Sequence, residues 1–375
     1  MKVSLLVLSV AAKVYFKETF DSLDKWVVSQ SKDDYGKWEI SNGKFHADEE
    51  RSKALKTTED AKFYAISAKF DQVFDHKDKD FIVQFSAKFE QNIDCGGGYV
   101  KIMPPGFKPE EFNGDTVYNV MFGPDICGNN KKVHAILNYK NENHLIKKQV
   151  LPGSDQLTHL YTFIIHPDQT YEILVDQESK ASGKLIEDWD LLPPAKIKDP
   201  KQSKPKDWVD SPKMDDPNDV KPEGYDDVPA NIPDPDAIKP EDWDDEDDGV
   251  WEAPMIPNPE YKGEWKPKQI DNPDYKGPWV HPEIDNPEFV NDESIYAYKS
   301  EYIGFDLWQV KSGTLFDNII VTDSIEEANE FAASTFVVDA PLEKAAKDKL
   351  DDEEAEKLKQ DLDKEEDKED EHEEL

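Results

Sequence analysis

Between Ile197 and Phe289 the chain repeats itself in two registers, and nothing else in it limits the fold so tightly. IKDPKQSKPKDW begins at Ile197, MDDPNDVKPEGY at Met214 and IPDPDAIKPEDW at Ile232, with a period of 17 to 18. IPNPEYKGEW at Ile256, IDNPDYKGPW at Ile270 and IDNPEF at Ile284 then recur with a period of 14. A proline every few residues removes ladder donors and forbids helix, so one copy is too short and too broken to fold alone. Three copies of one motif followed by three of another predict a chain that runs out and returns. Copy three of the first set then lies beside copy one of the second. In such a hairpin Trp208, Tyr225 and Trp243 would pack against Trp265, Trp279 and the series Tyr261, Tyr275 and Phe289, each ring burying roughly 150 to 250 Å². Aromatics at constant spacing argue against a disordered acidic linker. The turn is expected in DDEDDGVW, with Gly249 near the tip.

The flanks read differently. FIVQFSAKF at Phe81, VHAILNY at Val133, YTFIIH at Tyr161 and YEILV at Tyr171 alternate or run apolar, separated by turn residues. The same pattern returns after the repeats in YIGFDLWQV at Tyr302 and TLFDNIIVT at Thr314. A mainly β domain, best read as an antiparallel two-sheet sandwich, is therefore interrupted by the repeats and completed afterwards. From Ser324 onward, good helix formers with Leu or Ala at three- to four-residue spacing predict a C-terminal helix, with Asp323 or Ser324 as cap and Pro341 inside it. Between Glu343 and Glu374, 17 acidic residues face 7 basic ones, as a solvated helix or a polyanionic tail would have them.

The whole chain of 375 residues carries 83 acidic and 45 basic residues, a formal charge of −38. That field repels phosphate backbones and anionic lipid and gathers cations, so nucleic acid is not an expected partner. MKVSLLVLSVAA, residues 1–12, has one Lys and a short apolar run ending in small residues, the form of a secretory signal peptide rather than a membrane span. No later segment is apolar enough to cross a membrane. His372, Glu373, Glu374 and Leu375 form HEEL, close to the HDEL and KDEL addresses read by a retrieval receptor of the endoplasmic reticulum. The only cysteines, Cys95 and Cys127, suit that oxidising lumen, where a disulfide closing about 33 residues stabilises by roughly 3 to 4 kcal/mol. The sequence holds no N-x-S/T acceptor for glycan.

The KPEDW and NPxYKGxW repeats, DCGGGYVKI at Asp94, YNVMFGPDICG at Tyr118 and GFDLWQVKSGTLFDN at Gly304 together resemble the calreticulin/calnexin family, from Tyr15 to Val321. Three copies of each repeat and a retrieval-like terminus resemble its soluble branch rather than the membrane-bound one, which has four copies and a transmembrane helix. The resemblance implies a legume-lectin-like jelly-roll β-sandwich, an extended proline-rich hairpin arm, a C-terminal helix and an acidic tail. It implies a calcium-binding lectin chaperone, acting on monoglucosylated N-glycans of immature glycoproteins in the lumen of the endoplasmic reticulum. The expected division is 1–12 signal peptide, 13–190 first part of the sandwich, 191–290 arm, 291–340 completion of the sandwich and start of the helix, and 341–375 acidic tail with its retrieval signal. The chain is expected to be a monomer.

Sugar recognition needs flat faces for C–H stacking and fixed donors and acceptors where a ring approaches the backbone closely. Gly96 to Gly98 remove side chains beside Cys95, and strand alternation puts Tyr99 and Lys101 on one face. By resemblance Tyr99, Lys101, Tyr118, Asp125, Asp306 and Trp308 stand at glycan-contacting positions, with Met121 and Ile136 as apolar neighbours and Trp308 as the stacking ring. The family's tight Ca2+ site uses one carboxylate and main-chain oxygens, which falls on Asp317 with the carbonyls of Thr19, Arg51 and Lys53. Clustered tail carboxylates would hold further calcium weakly, at about 10⁻³ M. At the arm tip, Trp251 with Glu246 and Asp248 stands where the family recruits an oxidoreductase of the protein disulfide isomerase type; Val250 replaces the acid usual there. No H-E-x-x-H, G-x-S-x-G or phosphate-cradling loop occurs, so no enzyme is expected. His159, in THLYTF, reads as a hydrogen-bonded core histidine. The competing functions are a pure calcium store and a glycan-independent holdase.

Overall fold

A computed structural model describes residues 12–91, 93–244 and 249–373, the side chains of 363–373 excepted. The expected signal peptide lies outside the described residues, apart from Ala12. Two compact units emerge, one made of the chain up to Pro193 together with Glu288 onward, the other of Pro194–Pro287.

The first unit is a sandwich of two eight-stranded sheets. One sheet runs in the order Glu178–Lys184, Thr170–Val175, Thr158–Ile165, Phe81–Phe89, Thr314–Thr322, Ala54–Thr57, Trp38–Ser41, with Val14–Glu18 joined to Thr314–Thr322. The other runs Glu142–Leu145, Asn130–Tyr139, Val120–Cys127, Cys95–Gly97, Lys299–Gln309, Lys62–Asp75, Trp26–Val28, with Val100–Met103 bridging Lys299–Gln309 and Val120–Cys127. Each sheet therefore has a post-arm strand in its middle. Alternation sends Phe81, Val83, Phe85 and Ala87 of one sheet, and Val120, Phe122, Ile303 and Phe305 of the other, into one buried core. Phe305 lies 4.3 Å from Phe316 across the sheets, and Phe122 stacks on Phe163 at 5.3 Å. Cys95 and Cys127 are direct cross-strand partners and form the disulfide.

All nine residues of Phe81–Phe89 are buried, although only alternate ones face the core. Their outward side chains are covered by the C-terminal segment. Ile82, with Ile164 and Ile320, packs against Ala328 and Phe331 of the helix Ile325–Ser334. Gln84 Nε2 donates to Ala328 O at 3.1 Å. Ser324 caps this helix by accepting Glu327 N at 3.2 Å. The single helix expected from the sequence is in fact two, because at Thr335 the backbone leaves helical geometry before Phe336–Glu373 begins. The hydroxyls of Ser334 and Thr335 both donate to Phe331 O, at 3.0 and 2.6 Å, and so close the first helix off. The second helix continues through Pro341, is laced by i,i+4 pairs such as Lys344–Asp348 and Lys347–Asp351, both 2.7 Å, and is exposed over residues 351–362. No helix among the described residues is long and apolar enough to cross a membrane.

The second unit is a two-stranded ribbon in three rungs: Lys196–Lys198 with Glu283–Asp285, Lys213–Asp215 with Gln269–Asp271, and Asn231–Pro233 with Met255–Pro257. Each rung is followed by a turn in which an Asp or Asn oxygen accepts the N–H two residues on, as at Asp199, Asp216, Asp234, Asn258 and Asn272. The same residues accept a second backbone N–H three residues on through their carbonyls. The ring-on-ring clusters expected along the arm take another form. Trp208, Tyr225, Trp243, Trp265, Tyr275 and Trp279 are only half-buried and Tyr261 is exposed. The ring pair seen among these residues is Trp279 with His281, while Trp208 Nε1 donates to Gly277 O at 3.1 Å. A two-stranded ribbon has no third layer to cover a ring, and a carbonyl takes the N–H of a half-covered indole, as Gly277 O does for Trp208 and Gly249 O, at 2.8 Å, for Trp243.

Candidate carbohydrate and calcium sites

Whereas helix covers the outward face of one sheet, the outward face of the other carries a separate cluster of Ala65, Met103, Phe112, Tyr118, Met121 and Ile136. Neighbouring strands build it. Lys101 pairs with Met121 on one side and Gly304 on the other, and Met121 pairs with Ile136. Alternation from Gly304 carries Asp306 and Trp308 to the same face. Lys101 Nζ donates to Asp306 Oδ2 at 2.7 Å with both groups buried, and lies 5.2 Å from the Tyr118 ring centroid. A buried ion pair of this kind persists because each partner removes the other's cost of leaving water. Asp306 keeps a second carboxylate oxygen and Lys101 two further protons for hydroxyls.

Tyr99 arrives differently from what alternation predicts. The strand breaks between Gly97 and Val100, where Gly98 N donates to Pro124 O at 2.7 Å. Tyr99 consequently packs against both the inner core and the outer cluster. Its ring folds across Gly97, where a Cβ would meet Tyr99 Cε1 at 2.5 Å, and its backbone sits over Gly123, where a Cβ would meet Tyr99 Cα at 2.8 Å. The glycines thus make room for the tyrosine itself. Burial first, then the fields of Asp306, Asp125 and Tyr118, push its phenol well above the ordinary range and keep it a hydrogen-bond donor. Burial raises the Tyr118 phenol too. Asp125 Oδ2 is 3.2 Å from His134 Nε2, and His134 meets the Tyr99 ring edge-on.

Trp308 is 37% exposed, the most open of the group. It leans on Phe63 at 4.7 Å between centroids, and Lys32 Nζ lies 3.7 Å over that same Phe63 ring. Phe63, Lys32, His134 and Phe112 were missed from sequence. Period-two alternation through KFYAISAKF puts Phe63 and Ala65 on one face. The loop bearing Phe112 is tied down by Ser29 Oγ, which donates to Phe112 O at 2.6 Å.

Asp317 lies on Thr314–Thr322, where pairing with Phe81–Phe89 slips between Asp317 and Ile320. Its carbonyl accepts Ser86 Oγ at 3.0 Å, but its buried Oδ1 has no hydrogen-bond partner. Burial, then the fields of Glu18, Asp339 and Asp21, push this carboxyl well above the usual carboxylate range. Such an orphaned buried oxygen suits a cation. No three His, Cys, Asp or Glu side chains among the described residues converge as a metal cage, so an ion here would need main-chain oxygens. Arg51 lines the same cavity as Asp317, whereas Thr19 and Lys53 do not. Asp21 acts on both Lys53 and Asp317, and Thr19 N is held by Glu18 Oε1 at 3.0 Å.

At the arm tip, Glu246 and Asp248 lie outside the described residues; Trp251 is half-buried and Val250 is exposed. Glu374 and Leu375 also lie outside them, and of His372 and Glu373 only the helical backbone is described. His159 lies between Asp176 and Asp155, with ring nitrogens at 2.7 and 2.9 Å.

The sequence model of the calreticulin family matches residues 15–250 and 247–321. Calreticulin of Chlamydomonas reinhardtii is 54% identical over 354 residues, covering 92% of this chain and 84% of that protein. Calreticulin of Caenorhabditis elegans is 56% identical over 350 residues, covering 92% and 88%. Among solved structures, the T. cruzi calreticulin globular domain superposes with a TM-score of 0.66 at 34% identity, covering 92% of this chain and 99% of that one.

Proposed function

This chain belongs to the calreticulin family of lectin chaperones, and on that premise we propose that it holds the terminal glucose of monoglucosylated N-glycans on immature glycoproteins in the lumen of the endoplasmic reticulum. The observation that carries this reading is the buried Lys101–Asp306 pair, set among Tyr118, Met121 and Ile136 on an outward sheet face beside a half-open Trp308. It supplies the polar anchors for hydroxyls and the flat ring for the C–H face of a hexose, while Tyr99 and Asp125 add a donor and an acceptor. The protein acts by retention rather than by bond breaking. Calcium at Asp317, with carbonyls of Thr19, Arg51 and Lys53, ties the strand Thr314–Thr322 to the segments around Thr19 and Arg51, and the acidic tail stores more of the ion weakly. The arm tip around Trp251 receives a thiol-disulfide oxidoreductase, and HEEL returns the protein to its compartment.

Calorimetric titration with glucosyl-α-1,3-mannose tests the lectin reading. Trp308→Ala, at an exposed position, is expected to weaken binding about tenfold, the worth of one aromatic face. Asp306→Ala is expected to abolish it, since Lys101 is then left buried without its partner. Unchanged affinity in Trp308→Ala overturns the assignment. If aggregation of an unglycosylated client is suppressed equally by the wild type and both variants, the holdase reading takes its place. If neither sugar nor client binds while calcium does, the chain is a calcium store.

A further inference from the structure

The cavity holding Asp317 is closed by a segment that the site's expected ligands do not include. Arg51, Ser52, Asn318, Asp339 and Glu343 line it with Asp317, so the first turns of the helix Phe336–Glu373 form one wall. Glu343 is fully committed: it accepts Thr158 N at 2.9 Å, Thr158 Oγ1 at 2.8 Å and Lys88 Nζ at 2.9 Å, and Lys88 is shared with Glu90 at 2.9 Å. Asp339 is held differently. Arg51 Nη2 donates to Asp339 Oδ1 at 2.8 Å while Nη1 lies 3.4 Å from Asp48 Oδ2, and the arginine side chain is half exposed. The carboxylate of Asp317, nine-tenths buried and with Oδ1 unpartnered, receives nothing from that arginine. One surface cation thus serves Asp339 and Asp48, and the deeper acid beside them has none. A divalent ion offsets two carboxylates at once, and calcium takes them at irregular geometry with carbonyl and water oxygens completing the shell.

We propose that Asp339 is the second carboxylate of the calcium site at Asp317, and that Arg51 is its counter-ion in the calcium-free chain. This rests on the reading of Asp317 as a calcium ligand. Calcium exchanges for Arg51 at Asp339, and the exchange fastens the start of the C-terminal helix to the sandwich. The occupied site is then a clasp between the strand Thr314–Thr322 and the helix that follows it.

The test uses the full chain with calcium alone as probe, titrated calorimetrically at micromolar concentrations, far below the roughly millimolar range of tail carboxylates. Asp339→Asn is expected to weaken calcium binding about tenfold or more, because a carboxylate is lost and Arg51 stays. Arg51→Gln, at an exposed position where folding is not at risk, is expected to tighten it several-fold by removing the competing charge. In parallel, calcium is expected to slow amide hydrogen exchange over residues 336–343 in the wild type and not in Asp339→Asn. Asp317→Asn separates the two readings. If it leaves micromolar calcium binding intact, the calcium site itself is misassigned. If it abolishes binding while Asp339→Asn and Arg51→Gln both stay within twofold of the wild type, the site stands and the present inference falls.

Discussion

The sandwich and the arm solve the same problem, holding extended chain in place, by opposite means. In the sandwich, long strands bury alternate side chains in one core, and Phe305 alone meets Trp26, Trp38, Phe85 and Phe316. In the arm, strands of three residues are pinned by Asx turns and paired carbonyls, and the rings are only half covered. Apolar burial is cooperative because every side chain touches many others; a row of local hydrogen-bonded rungs is additive. The sandwich should therefore fail all at once and the arm rung by rung.

Phe305→Ala attacks the sandwich where its rings converge and should cost about 3 to 5 kcal/mol, read as a lower urea midpoint for the whole β domain. A loss under about 1 kcal/mol would mean that the core is not one unit. Next in size is an acid effect. His76 is fully buried between Phe74 and Phe81 with neither ring nitrogen hydrogen-bonded, and burial, then Lys79, push its pKa down from 6.5 to about 3. A depressed histidine contributes stability that is complete above pH 6.5 and is lost as the pH falls towards 3. His76→Phe should then spare about 3 kcal/mol of the loss between pH 7 and pH 4. His159 has the opposite sign. Burial opposes its proton, but Asp176 and Asp155 outweigh that and raise its pKa, so its contribution is complete below 6.5 and fades as the pH rises through the folded value. An acid limb unchanged in His76→Phe would show that the ring is already protonated in the native state. The smallest effect belongs to the arm. Asn258 caps its own turn and its Nδ2 donates to Pro229 O at 2.8 Å, so Asn258→Ala should cost about 1 kcal/mol, seen as faster hydrogen exchange at that rung alone with the sandwich midpoint unmoved. Exchange speeding up in all three rungs would make the arm cooperative after all.

The same contrast governs how much was legible in the sequence. Strands and repeats are local patterns, and period two or fourteen can be counted along the chain. The out-and-back pairing of the arm follows from copy number, whereas Asp306 and Trp308 are singled out only by the family resemblance. The Lys101–Asp306 pair joins residues 205 apart, and Arg51–Asp339 residues 288 apart; no spacing rule links them. Tyr118 and Met121 read by composition as core, and only the resemblance to family motifs puts them, with Ile136, among the proposed glycan contacts. The break at Thr335 falls in a run of weak helix formers, Ser334 to Val338, but such a run only weakens a helix, and the stop itself is made by two hydroxyls bonding one carbonyl. The arm's indoles are half covered because a count of rings sets no burial where the ribbon has no layer to cover them.

The two strands made after the arm, Lys299–Gln309 and Thr314–Thr322, sit in the interior of both sheets, each flanked on two sides by strands made before it. During synthesis, Phe81–Phe89 and Lys62–Asp75 must therefore wait with an open edge while the whole ribbon, Pro194–Pro287, emerges. A chain that assists the maturation of others is itself incomplete until nearly its last globular segment leaves the ribosome, and for that interval it presents the same kind of unpaired edge that chaperones exist to shield.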